Sequence, residues 1–314
     1  MGRKSKENPR NPRGARARTL ISKRLFLWRD NEVYGHGNEL RTYCGLEGTI
    51  LGHVQHGWNP GTGWELLGGD LIRRQSRRIV WGDRQIERSS ELGIKVRAAI
   101  GAPWLYLEAN DLARPITVQA GNKYVFFPMH GTDQHPLDDR PASLLEALEI
   151  AEGNPLTVCL FWRDYQDPLN PFRKLSEQLN LSIITAGNPV NKDFLRNLRL
   201  ILQSHSHFVS NRVTTSTIYA LRAGLEIHLT GSSPQISGEY VQDPRVTNLA
   251  NQIKDAAGNP EANQEIASYE LGENHFRDPD ELCVILGLTF PSNLAKYPLL
   301  AASAFSRIAR RVGI

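Results

Sequence analysis

Short apolar runs alternate with amphipathic stretches along most of the chain. After a first run at 25–28, runs at 48–55, 79–82 and 94–100 read as strands. Glycine and proline clusters end several of them, which forces a loop at each strand end. Between the last two lies a polar-faced helix, 84–92, stopped by Gly93. A second series follows 104–121, a stretch of weak periodicity that reads as a linker. Its strands are 123–129, 156–162, 181–186, 208–210 and 227–230. Its helices are 142–151, with Leu144, Leu145, Leu148 and Ala151 on one face, then 171–179, 192–204, 280–288 and 295–312. Strand–helix alternation with short turns is the signature of parallel βα units. Two such series predict an α/β protein with two Rossmann-like domains facing a cleft: 23–115 and 116–290, preceded by a tail over 1–22 and closed by a terminal helix over 291–314. Ligands in such sheets bind beyond the carboxyl ends of the strands.

Charge changes the picture mainly at the N-terminus. The formal net charge is +4, yet residues 1–24 carry nine Lys/Arg against one Glu, so the remaining 290 residues are net −4. The basic segment is rich in Pro, Gly, Arg and Asn, a composition that reads as disordered. It suits contact with anionic lipid headgroups or nucleic acid; a solubilising leader with no partner accounts for it equally. No apolar run approaches the roughly 20 residues needed to span a bilayer. The start lacks an apolar signal core. Cys44, Cys159 and Cys283 are too scattered in sequence to read as a disulfide framework or a zinc site. The expected compartment is the cytoplasm, with peripheral contact at the inner membrane face through residues 1–24.

The most informative stretch is 206–224. A short apolar strand runs into Ser210-Asn211-Arg212, then the hydroxyl run Thr214-Thr215-Ser216-Thr217 opens a helix that ends at Gly224. The first N–H groups of a helix have no partner within it, and the dipole favours negative charge there. A phosphate is a natural guest for such a turn. An N-cap needs only one hydroxyl, so the run is richer than capping requires.

Four patches then stand in order over residues 50–230: Val54-Gln55-His56-Gly57-Trp58; Val80-Trp81-Gly82 with a helix and Ile100-Gly101-Ala102-Pro103-Trp104-Leu105-Tyr106; Phe126-Phe127-Pro128-Met129-His130-Gly131; and Ser210-Asn211 with Ser216, Ala220-Leu221 and Gly224. Together they resemble the GT-B glycosyltransferases, especially bacterial enzymes of capsule and surface-polysaccharide synthesis. The last patch is similar to their donor-phosphate helix. Two features depart from that pattern. The strand at 181–186 leads to Gly187-Asn188-Pro189 rather than to a His-Pro pair, and His135-Pro136 falls earlier. Ala220 or Leu221 stands where many such enzymes place a ribose-binding glutamate.

The resemblance implies transfer of a sugar from a nucleotide-sugar donor to a glycan or lipid-linked acceptor. It implies no cofactor and no metal; Asp138-Asp139 reads as a loop approaching a helix. His56, in a glycine loop past a strand end, is the first acid/base candidate, since imidazole titrates near neutrality. Glu65 and Asp30 are rivals; Asp30 follows Trp28-Arg29 at an expected strand end, and it and nearby Glu39 read first as caps or surface charges. Donor and phosphate candidates are Ser210, Asn211, Arg212, Thr215, Ser216, Thr217, His130, His135 and Arg163, whose forked donors fit a diphosphate. Trp58 and Trp64 are candidates for stacking on acceptor sugar rings, with core packing the alternative. Two other functions compete. A sugar-nucleotide 2-epimerase of the same fold needs carboxylates near the sugar, and 206–224 is poor in acids. A nucleic-acid-binding protein using the basic tail is disfavoured by the negative balance of the body.

Overall fold

The computed structural model describes residues 29–58, 78–91, 93–111, 122–131, 137–138, 141–231, 235–236 and 244–289. The expected strand at 25–28, the basic tail and the helix at 295–312 lie outside them. The chain is an α/β protein with two parallel sheets. A 3₁₀ segment, Arg29–Gly35, leads into α1 (His36–Cys44). Strands β1 (His53–Val54), β2 (Arg78–Val80) and β3 (Val96–Ala99) form the first sheet in the order β1-β2-β3, all parallel, with α2 (Asp83–Glu91) between the last two.

Helix α3 (Pro103–Asn110) replaces the expected linker. Pro103 sits at its first turn, where a missing N–H costs nothing. Five consecutive residues, Pro103 through Leu107, are buried. A helix packed on all sides carries no amphipathic stripe, which is why the periodicity was weak.

The second unit holds β4 (Tyr124–Phe127), β5 (Leu137–Asp138), α4 (Ala142–Ala151), β6 (Leu156–Cys159), α5 (Trp162–Gln166), α6 (Pro171–Gln178), β7 (Ser182–Ile184), α7 (Phe194–Gln203), β8 (His207–Ser210), α8 (Thr215–Arg222), β9 (Glu226–Leu229) and β10 (Gln235–Ile236). Five of these strands make a parallel sheet in the order β7-β6-β4-β8-β9. The strand that enters first is central, and the order reverses between β4 and β8, as in doubly wound folds. Alternation along the strands divides the core. Tyr124, Phe126, Val158 and Val209 pack with Leu144, Ala147 and Phe172 from α4 and α6. Val125, Cys159 and Phe208 face Leu195, Leu198, Leu202 and Ile218 from α7 and α8. Leu145 turns to solvent instead of joining the α4 core face. The Asp138 segment is not a helix-approach loop: β5 pairs antiparallel with β10.

Helices α9 (Pro244–Asp255) and α10 (Pro260–Leu271) follow, then a 3₁₀ turn, Glu273–His275, and α11 (Pro279–Leu286). The chain crosses back here: Leu282 and Leu286 of α11 share a core with Leu40, Val54, Ile79 and Tyr106 beside the first sheet. Cys44 and Cys283, remote in sequence, meet at this crossing, Cys283 Sγ lying 3.7 Å from the Cys44 carbonyl oxygen. No helix among the described residues is long and apolar enough to cross a membrane.

The two sheets are joined by a packed seam. One apolar cluster runs through it, from Trp58, Trp81 and Trp104 to Tyr219, Ile218 and Leu271. The Ala102 N–H donates to the Leu271 carbonyl at 2.8 Å. At the tightest crossing Gly82 meets Gly272. Gly272 has φ +66°, and a Cβ there would fall 2.2 Å from the Trp81 carbonyl oxygen. Ion pairs line the seam. Arg84 pairs with buried Glu270, Arg222 with Glu108 and Glu273, and Arg196 with Glu39 and Asp111. Glu39 is therefore no surface charge; it is fully buried between Arg196 and Asn110.

Candidate functional site

The start of α8 stands at the carboxyl end of β8, with the loop after β1 on one side and the loop after β4 on the other. Its hydroxyls divide into three roles. Thr214 and Thr217 close a capping box. Thr217 Oγ1 accepts the Thr214 N–H at 3.0 Å and is wholly buried. Thr215 Oγ1 accepts the Trp58 N–H at 2.9 Å, which ties the histidine loop to the helix start. Ser216 is half-buried and takes no part in the box. Two expected phosphate ligands are thus turned inward. Thr217 is spent on the cap. Ser210 is fully buried, its hydroxyl donating to the carbonyls of Phe127 at 2.8 Å and Arg212 at 3.0 Å. Both belong to the framework that shapes the turn.

The histidine loop is held by Gln55. Its side chain accepts the Trp81 N–H at 2.9 Å and donates to the Gly57 carbonyl at 2.9 Å. Asn31 supports the preceding strand, accepting the Val54 N–H at 3.0 Å and donating to the Gly52 carbonyl at 2.9 Å. His56 emerges half-buried among aromatic rings. The Tyr34 ring centroid is 4.7 Å away and the His36 centroid 6.4 Å. Tyr34 is in the left-handed region, φ +62°, with its N–H bonded to the Pro189 carbonyl at 2.6 Å. A bulky residue there is strained, and such strain clusters at functional sites. Gly35 beside it also has positive φ, and a Cβ would sit 2.2 Å from the Lys192 carbonyl oxygen.

Burial, reinforced by the neighbouring His56, lowers His36 to about 3, so it stays neutral at any ordinary pH. Burial raises the Tyr34 phenol, and likewise Tyr219. Tyr219 is stacked on Trp104 at 4.4 Å and lies 6.3 Å from Trp81. Its hydroxyl is buried and has no hydrogen-bond partner among the described residues.

On the other flank the Asn211 side chain bridges the strands at which the sheet order reverses. Its Oδ1 accepts the Met129 N–H at 2.8 Å, and its Nδ2 reaches the Ser143 hydroxyl at 3.4 Å. Asn211 is buried and acts as a clamp rather than an open ligand. Arg212 is half-buried, with Nη1 4.0 Å from Met129 Sδ. His130 stacks on Phe161 at 4.0 Å and bonds the Gly131 carbonyl at 3.1 Å. Arg163, exposed on α5, lies 5.6 Å over the Trp162 ring. Burial raises the neighbouring Asp164 carboxyl against the opposing influence of His130.

Trp58 does not offer its indole as an acceptor platform. It is buried, and its Nε1 donates to Glu270 at 2.7 Å. Asp30 falls within the 3₁₀ segment, and the strand expected before it lies outside the described residues, as do its side chain and Glu65, Trp64 and His135. His56, Thr215 and Ser216 are the expected residues that the Trp58–Thr215 bond brings to one place, with Arg212 on the other flank beside Met129. Tyr34, His36 and Tyr219 join them. The glycine-punctuated Tyr34-Gly35-His36-Gly37 was the available sign of the first two, since alternating glycines mark a backbone held in unusual conformations. The chain matches no protein-family model and no curated protein sequence.

Proposed function

We propose that the protein is a GT-B-like glycosyltransferase that moves a sugar from a nucleotide-sugar donor to a glycan or lipid-linked acceptor at the cytoplasmic membrane face. The observation that carries this reading is the Trp58 N–H to Thr215 Oγ1 bond, which sets the hydroxyl-led start of α8 against the histidine loop at the carboxyl ends of two parallel sheets. Donor diphosphate would lie on the N–H groups that open α8, where the helix dipole favours negative charge. The Ser216 hydroxyl donates to it, as does Thr215, since a hydroxyl that accepts one bond still has its proton to give. Arg212 adds positive charge to the leaving group without a metal.

His56 takes the proton of the acceptor hydroxyl. Burial keeps its neighbour His36 neutral, so His36 adds no positive charge beside it. The Tyr34 ring beside it packs on Phe194 at 5.0 Å. The test is a donor screen by mass spectrometry with the common uridine, cytidine and guanosine sugar nucleotides. Hydrolysis or transfer from one of them is expected. Failure of every donor to react or bind would remove the sugar-transfer reading.

A further inference from the structure

At the opposite, amino end of the five-stranded sheet, three side chains converge on one face: His207 from β8, and Glu226 and His228 from β9. The register pairs His207 with Glu226 and Val209 with His228, so strand alternation places all three on the same side. His207 Nδ1 lies 3.1 Å from His228 Nε2. Each of these nitrogens is 3.6 Å from its own Glu226 carboxylate oxygen. The Tyr124 ring stacks on His207 at 4.1 Å and 6°, fixing the imidazole plane.

From these contacts we propose that His207, Glu226 and His228 form a binding site for a divalent transition metal of the zinc type, clamping the edge strand β9 to β8. A zinc ion about 2.0–2.1 Å from each imidazole nitrogen sets tetrahedral ligands roughly 3.3 Å apart. The spacings of 3.1 and 3.6 Å bracket that value, so small side-chain rotations close the site. Two imidazoles and one carboxylate select zinc, cobalt, nickel or copper over calcium and magnesium, which take oxygen ligands. Both histidines are half-buried and Glu226 is exposed, which gives the ion an entry path and leaves a fourth position to solvent. The site lies at the far end of β8 from Ser210 and the α8 start. It is independent of the sugar-transfer reading.

The full chain, with any affinity tag removed and metal stripped by EDTA, is titrated with zinc chloride by calorimetry. One equivalent is expected to bind and to raise the melting midpoint. Glu226→Gln changes an exposed group, so the fold survives and only the ligand is lost. Removing even groups that merely support a ligand costs 10–100-fold in metal affinity, so Glu226→Gln and His228→Asn are each expected to weaken zinc by at least about 100-fold, with circular dichroism unchanged. Cobalt(II) provides the second readout. Visible bands without thiolate charge transfer, absent from both variants, support the site. No binding, binding that survives both variants, or a thiolate band from the Cys44–Cys283 region overturns the proposal.

Discussion

His36 is an imidazole lodged where protonation is nearly forbidden. Burial, with His56 adding to it, brings its folded value to about 3, whereas the unfolded chain protonates near the ordinary 6.5. Between those two values the unfolded state binds the extra proton, so stability is full above about pH 6.5 and falls as the pH drops toward 3, by up to about 1.4 kcal/mol per pH unit. Urea midpoints measured across that range should show this limb, and His36→Gln should flatten it. The two hydroxyls at the head of α8 should behave differently from each other. Thr215→Val removes the acceptor of the Trp58 N–H and should cost about 1 kcal/mol in denaturant unfolding. Ser216→Ala should leave stability within about 0.5 kcal/mol, because Ser216 is outside the capping box. At this scale the sequence signalled His56 and the hydroxyl run through loop and cap chemistry. It did not separate Ser216 from Ser210 and Thr217, because whether a hydroxyl faces out or bonds a carbonyl depends on strand register. It concealed the histidine pair on β8 and β9 for the same reason: residues 19 and more apart meet only once the sheet is assembled.

Elements were legible where burial was one-sided or strand-like. The apolar runs of β4, β6 and β8 announced themselves, and α4 was bounded to the residue. Helix α3 was missed because it is buried all round, and α1 because its buried face includes His36, Gly37 and Glu39 rather than an apolar stripe. Helix α9 went unread because its buried Val246, Leu249 and Ile253 are diluted by polar neighbours. The turn after α10 shows how closely the elements are fitted. Gly272 combines positive φ with a backbone that any Cβ would strike. Gly272→Ala should therefore cost more than about 2 kcal/mol, read as a lowered urea midpoint, while Gly258→Ala, also at positive φ but with open space around it, should cost less.

Each sheet has an apolar cluster of its own, and a third cluster spans the two. Trp58, Trp81 and Trp104 from one side and Tyr219 and Leu271 from the other belong to one apolar cluster, and Glu270 joins Arg84 to the Trp58 indole across the seam. The sequence indicated two strand–helix series but not the weld, since the contacts that make it are long-range and largely aromatic. A shared core predicts a single cooperative transition: melts followed by tryptophan fluorescence and by far-ultraviolet circular dichroism should coincide, and two separated transitions would contradict a common core. The proposed sugar transfer would depend on the place where this seam meets the start of α8. Calorimetric titration of the intact chain and of Ser216→Ala with uridine, cytidine and guanosine sugar nucleotides tests that directly. The account predicts one-to-one binding of at least one of them, weakened about tenfold or more in Ser216→Ala, as expected for losing a hydrogen bond to a charged group. Absence of binding by all of them, or equal binding by both proteins, would contradict it.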